Sequence, residues 1–213
     1  MSLFRSRLIG WWKRHKRDFP WRKETDPYRI LVAEILLRRT RAQQVVPVYD
    51  RFLREFPDLP SLATARPHRV RKLLRPLGLH WRTEDVLRLG KHMVAKMGGR
   101  VPEDPDGLGA LPGVGEYVTA AVQCFAWGER VPVIDTNTAR VVARFFGIAA
   151  RGELRRERHV RNLLNQMLDY RQPRELNWAL IDFAAEVCRA RIPRCSACPV
   201  EGSCLKTGVD SWK

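Results

Sequence analysis

The 213-residue chain contains no apolar run of about 18 residues or more, no signal peptide and no lipidation motif, so nothing in it reads as a membrane span or anchor. It has no internal repeat, no low-complexity tract and no Ser/Gly linker. Runs of β-branched residues are nearly absent: Val131–Ile134 is the one short example, too isolated to build a sheet. Acidic residues are scarce beside basic ones, 23 Asp and Glu against 39 Lys and Arg, giving a formal net charge of +16. A folded domain this basic most often meets a polyanion, and nucleic acid is the commonest. Membrane headgroups compete as a partner, because the N-terminal MSLFRSRLIGWWKRHKRDF is basic and could be amphipathic. The five histidines have no metal-ligand spacing. With no export signal, the chain is expected in the cytoplasm or nucleoid of a prokaryote.

What is present is helical periodicity. Apolar side chains recur at helical spacing in residues 29–42, 45–55, 67–75, 82–97, 116–127, 136–146, 153–169 and 174–188. Asp26-Pro27 is a start signal for the first of these, and Pro and Gly punctuate the gaps. The pattern predicts an all-α protein, packed helix on helix. The composition shifts near Asp135, and beyond Gly147 the chain turns Arg-rich and ends in a Cys-dense segment, so a domain boundary is expected there. The Arg-rich stretch 151–161 reads as a solvated face.

Cysteine is confined almost to one place. Four of the five, Cys188, Cys195, Cys198 and Cys204, form C-x6-C-x2-C-x5-C; the fifth, Cys124, sits on an apolar helix face and reads as core. Disulfides need an oxidising compartment that nothing here indicates. Zinc usually takes two Cys-x2-Cys pairs, and only one is present. A [4Fe–4S] cluster also takes four thiolates from a compact loop, and it fits the spacing better, although zinc stays open. Arg189, Arg191 and Arg194 lie between these cysteines and would offer fixed cations to a phosphate backbone, or serve only as a solvated clip.

The stretch Leu111-Pro112-Gly113-Val114-Gly115 separates a short possible helix from the one starting at Glu116. Its glycines permit positive φ and close approach, and the following helix start adds positive potential. Two short helices around LPGVG form a hairpin suited to gripping a DNA backbone without reading sequence. A purely structural turn is the plainer alternative.

LPGVGEYVTAAV, then VIDTNTARVVARFFG, then the four-cysteine run, with DPYRILVAEILLRRTRAQQV upstream, resemble the helix-hairpin-helix DNA glycosylases of the endonuclease III/adenine glycosylase superfamily. The resemblance spans nearly the whole chain. It implies two helical domains flanking a DNA-binding cleft, residues 1–27 with 135–213 carrying the iron–sulfur loop, and residues 28–134 forming a helical barrel with the hairpin. It implies a monomer that flips a mispaired base from double-stranded DNA and cuts its N-glycosidic bond. It also implies DNA contacts from Leu111, Gly113, Val114 and Gly115.

Asp135 matches the family's catalytic aspartate, and the chemistry agrees: a carboxylate beside C1′ stabilises oxocarbenium-like charge and can orient water. Its plainer role is a helix N-cap, and the two are compatible. Tyr117 takes the place where strand-cleaving relatives carry a lysine that attacks C1′. A phenol cannot form an imine, so Tyr117 implies a monofunctional enzyme that uses water. Glu34 resembles the glutamate of adenine and mismatched-thymine glycosylases, expected to contact or protonate the flipped base or position water. An ion pair with Arg38 is its bland alternative.

Two subfamilies fit, the adenine glycosylases and the thermophile-type enzymes that remove thymine or uracil opposite guanine. EILLRRT resembles the thymine enzymes, whereas adenine glycosylases place a glutamine pair before the threonine. Arg38 or Arg39 would then fill the helix or meet the orphaned base, unless they only face solvent or phosphate. The chain as given also runs only nine residues past Cys204, without the usual second domain of adenine glycosylases. The sequence therefore points to thymine or uracil excision, with adenine excision as the alternative and a non-catalytic iron–sulfur DNA-binding protein behind both.

Overall fold

The computed structural model describes residues 1–149, 152–168 and 171–209. Arg151 and Asp169, which belong to two of the segments read from sequence, lie outside the described residues, as does Trp212. Among the described residues there is no strand, in line with an all-α chain. The chain divides into two compact units, one made of Asp18–Trp127 and the other of Met1–Arg17 with Gly128 onward.

α1 (Ser2–His15) belongs to the second of these units, and in the unit Asp18–Trp127 the first long helix is α2 (Pro27–Leu36). It starts where Asp26 accepts the Arg29 N–H at 3.0 Å, with Pro27 at the first position. The periodicity predicts helix as far as residue 42, but α2 stops at Leu36. Arg39 takes a left-handed conformation, φ 61°, which an α-helix cannot contain. α3 (Ala42–Glu55) begins after this turn. α4 (Leu59–Ala63) opens with a reciprocal Asp58–Ser61 capping box. α5 (Pro67–Leu74) and α6 (Thr83–Lys96) follow. Gly90 lets α6 press on α4, since a Cβ there would stand 3.0 Å from Leu62 Cγ and 3.2 Å from the Ala63 nitrogen. α7 (Pro105–Gly109) and α8 (Glu116–Val122) complete the unit, and α8 runs on into a π-helical turn, Gln123–Trp127. Leu31, Phe52, Leu62, Leu74, Met93, Leu108 and Val122 form the interior, and Cys124 is fully buried there.

The other unit packs α1 (Ser2–His15), α9 (Thr136–Phe146), α10 (Arg158–Met167) and α11 (Pro173–Glu186) around Leu8, Val142, Leu164, Leu176 and Phe183. The helix read from residue 153 starts only at Arg158, after a 3-10 turn at Leu154–Arg156. The amphipathic N-terminal segment spends its apolar stripe inside: Phe4, Leu8, Ile9, Trp11 and Trp12 are all buried. Asp182, fully buried on α11, accepts the Trp12 indole N–H at 3.0 Å and the Arg17 Nε at 2.5 Å. A buried carboxylate survives only with such partners.

The isolated β-branched run has its own solution. Asn177, on the buried face of α11, accepts the Val133 N–H at 3.0 Å and donates to the Val131 carbonyl at 3.1 Å. One side-chain amide thus replaces a neighbouring strand, and the chain stays extended up to Asp135.

Candidate functional site

The hairpin is built by its ends. Asp104 caps α7 by accepting the Gly107 N–H at 2.6 Å, and Val114 N–H donates to the Leu111 carbonyl at 3.0 Å to close the turn. Gly113 has φ 76°, the left-handed region that disfavours any other residue. Leu111 and Val114 point inward and are buried, while Gly113 and Gly115 are exposed. What this turn offers to a ligand is therefore backbone. No side chain caps the start of α8 at Gly115. Arg38 reaches across and donates to the Gly113 carbonyl at 2.7 Å, tying the end of α2 to the hairpin. Arg38 and Arg39 are both exposed.

Glu34 and Tyr117 stand on neighbouring helices of this unit, since α2 packs against α8. Glu34 is 5% exposed and Tyr117 half-buried. Arg38, one turn past Glu34, spends its guanidinium on Gly113.

Asp135 belongs to the other unit and caps α9. Its Oδ1 accepts the Asn137 and Thr138 N–H groups at 2.9 and 2.7 Å, and its Oδ2 accepts the Asn137 side-chain amide at 2.7 Å. Thr138 Oγ1 accepts the Asp135 N–H in return, at 3.0 Å. A cap of this kind is worth about 1 kcal/mol, and here it also fixes the direction of a half-buried carboxylate. The chain of contacts continues. Asn137 Oδ1 accepts from Arg140 Nη1 at 2.8 Å, and Arg140 donates to the Cys188 carbonyl at 2.9 Å and the Ala184 carbonyl at 3.1 Å. Burial pushes the Arg140 guanidinium below its ordinary range, and the nearby Cys188 opposes the shift.

Cys188, Cys195, Cys198 and Cys204 are unpaired thiols lining one cavity, walled otherwise by Phe4, Val141, Phe145 and Val200. Arg144, 5% exposed, holds the segment by donating to the Arg189 and Ala190 carbonyls at 2.6 and 2.8 Å. Burial pushes the Cys198 thiol up to about 11, helped by Cys204, Cys188 and Cys195, with the Val200 N–H pulling the other way. Cys204 is raised for the same first reason. Among the described residues no three His, Cys, Asp or Glu side chains gather as one metal ion would require. Arg191 and Arg194 are exposed and Arg189 half-buried.

Residues 32–166 match the model of the HhH-GPD superfamily base excision DNA repair proteins. This chain belongs to that superfamily. Over 210 residues the HhH-GPD chain is 39% identical to the thymine-DNA glycosylase of Aeropyrum pernix, covering 96% of itself and 94% of that protein. It is also 39% identical, over 204 residues, to the thymine/uracil-DNA glycosylase of Pyrobaculum aerophilum, covering 92% and 88%. The solved structure of a thermostable thymine-DNA glycosylase aligns with a TM-score of 0.88 at 32% identity, covering 99% of this chain and 96% of the other.

Reading the sequence of this HhH-GPD protein did not single out Asn177, Asn137, Arg140 or Arg144. Asn177 left one signal, a polar residue among the apolar positions of a core helix. Arg140 and Arg144 look like solvent-facing charges in sequence, one turn apart, yet both turn toward the cysteine segment.

Proposed function

We propose that this base-excision DNA glycosylase removes thymine or uracil mispaired with guanine by hydrolysis and leaves an abasic site. The observation that carries the monofunctional reading is Tyr117, a phenol on the first turn of the hairpin's second helix, where a Schiff base needs an amine. Similarity along nearly the full length of two archaeal thymine and thymine/uracil glycosylases supports the choice of base.

In this reading the C1′–N bond of the mispaired nucleotide breaks with its electron pair leaving on the base. Asp135 stabilises the positive charge that develops at the sugar and takes the proton that a water loses as its oxygen bonds to C1′. The donors around Asp135 hold the carboxylate in one orientation, so little reorganisation accompanies the reaction. Glu34, nearly excluded from solvent, protonates or orients the departing base. Tyr117 packs against the nucleotide. Gly113 and Gly115 present backbone to phosphates, with Leu111 and Val114 as the inner support and Arg38, Arg39, Arg189, Arg191 and Arg194 as cations.

A [4Fe–4S] cluster fits the four thiols around one cavity. Cys188, Cys195, Cys198 and Cys204 would hold it. Bound there, a cluster would cross-link Cys188 to the segment Cys195–Cys204 and fix the arginine-bearing loop. The protein works as a monomer in the cytoplasm, at the nucleoid. No helix among the described residues is long and apolar enough to cross a membrane.

The test is a single-turnover assay on labelled duplexes containing G:T, G:U, A:G or A:8-oxoguanine, each resolved with and without alkali. Cleavage of the T or U strand only after alkali is expected. Cleavage of the A strand would replace this reading with adenine excision, and cleavage without alkali would remove the monofunctional assignment.

A further inference from the structure

Three tryptophans are consumed by packing: Trp11, Trp12 and Trp21 are each 7% exposed or less. Trp81 is 59% exposed. It sits on the 3-10 turn His80–Arg82 between α5 and α6, in the unit Asp18–Trp127. That turn is firmly built. Arg82 N–H donates to the Leu79 carbonyl at 2.9 Å, Thr83 Oγ1 donates to the His80 carbonyl at 2.6 Å, and Leu79 is buried beneath. An exposed indole on an ordered turn is neither core nor a fraying loop.

Arg82 explains how the ring is held. Its guanidinium carbon lies 4.4 Å from the Trp81 ring centroid, covering one face. Arg82 itself is only 7% exposed, and its Nε–H has no hydrogen-bond partner. Burial pulls its guanidinium below the ordinary range, Arg38 and Arg39 press the same way, and Asp85 opposes them. Asp85 is already engaged by Arg88. Three guanidinium groups with so little local compensation leave a site that an anion would complete.

The place of this cluster matters. A Cβ on Gly113 would stand 3.9 Å from Asp85 Cβ, and Arg38 bonds the Gly113 carbonyl at 2.7 Å. The tryptophan turn, the end of α2 and the hairpin therefore form one continuous surface. Arg39, at φ 61°, is carried on the same surface by the sharp break after α2.

We infer that Trp81 is a stacking platform for an unpaired base of bound DNA, with Arg82 backing the ring and Arg38 and Arg39 holding the phosphates beside that base. A base offers a flat π face whatever its identity, and the open face of Trp81 is the matching surface. A protein partner would explain an exposed indole but not the arginines around it. The inference rests on the DNA glycosylase reading above, and it assigns to Trp81 a binding task separate from bond cleavage.

The experiment uses the full-length protein and two duplexes. One carries 2-aminopurine opposite a tetrahydrofuran abasic analogue, so that its fluorescent base has no partner; the other is fully paired. Dissociation constants and 2-aminopurine fluorescence are measured for the wild type, Trp81→Ala and Trp81→Phe. Stacking on the indole quenches 2-aminopurine in the wild-type complex. Trp81→Ala should restore the fluorescence and weaken binding to the abasic duplex roughly 5- to 150-fold, the range expected for losing one base–aromatic stack. Paired-duplex affinity should change far less, and Trp81→Phe should recover much of the quenching. The inference is overturned if Trp81→Ala binds and quenches like the wild type. Base release from a third duplex, carrying G:T, is measured alongside. A wild type that quenches through Trp81 yet frees no base refutes the glycosylase reading and leaves the platform standing.

Discussion

Asn177, a neutral side chain on α11, holds the extended segment before Asp135. It accepts the Val133 N–H and donates to the Val131 and Pro173 carbonyls, at 3.0, 3.1 and 3.1 Å, from a position 1% exposed. Replacing it with leucine keeps the same branched heavy-atom skeleton, so no cavity opens. What is lost is the acceptor for a buried N–H, about 1–3 kcal/mol, and two carbonyl contacts at about 0.5–1.5 kcal/mol each. The sum centres on about 4 kcal/mol, which for a chain of this size lowers the melting temperature by roughly 10 °C. The damage should also be local. Val133 lies two residues before Asp135, so its amide should lose hydrogen-exchange protection, and base release should fall along with stability. Thermal unfolding, amide exchange at Val133 and single-turnover base release check the three parts. A change in stability within about 0.5 kcal/mol, the scale of a surface substitution, would refute the idea that one amide stands in for a strand.

Further outcomes follow from the site. Asp135→Asn should abolish base release while duplex binding is retained, measured by single-turnover cleavage beside a binding isotherm; full activity would sink the mechanism. Tyr117→Lys places an amine on the first turn of α8, and borohydride should then trap a covalent protein–DNA complex that the wild type never forms. The purified protein should be brown, with iron and sulfide in equal amounts by analysis; a colourless protein with stoichiometric zinc would overturn the cluster. In the metal-free protein the Cys198 thiol moves from 9.0 to about 11 on folding, so it favours the folded state below pH 9 and loses that contribution as the pH rises through 11. Alkaline unfolding of the metal-free protein should therefore weaken in its pH dependence when Cys198 is replaced by alanine.

Much of this architecture was legible before any coordinates. The helices survived because their apolar stripes are long and their starts carry Asp-Pro or Pro signals, as at Asp26-Pro27. The break after Leu36 was not legible: RILVAEILLRRTRA keeps its helical period through the turn, and only the left-handed φ of Arg39 interrupts it. In the candidate site, Asp135 was visible because it matches the family's aspartate and stands where a helix starts. Its further partners were hidden for a physical reason. Arg140 meets carbonyls 44 and 48 residues away, and hydrogen bonds to backbone leave no mark in side-chain identity. Trp81 was equally opaque, since a tryptophan in a folded domain is normally core and its neighbours His80 and Arg82 do not say otherwise.

The carboxylate of Asp85 and the hairpin belong to a stretch of chain that is complete by Trp127, whereas the first helix must wait. Trp12 meets Asp182 across 170 residues of sequence. At ribosomal speeds that interval lasts on the order of 10–30 s. Throughout it, Phe4, Leu8, Trp11 and Trp12 have no core to enter, and the flanking Lys13, Arg14 and Lys16 must keep the segment dissolved. The middle of the molecule can be finished and waiting while the unit holding Asp135 has yet to receive its last helix. A nascent chain of this protein thus has its hairpin before it has the full unit that carries Asp135.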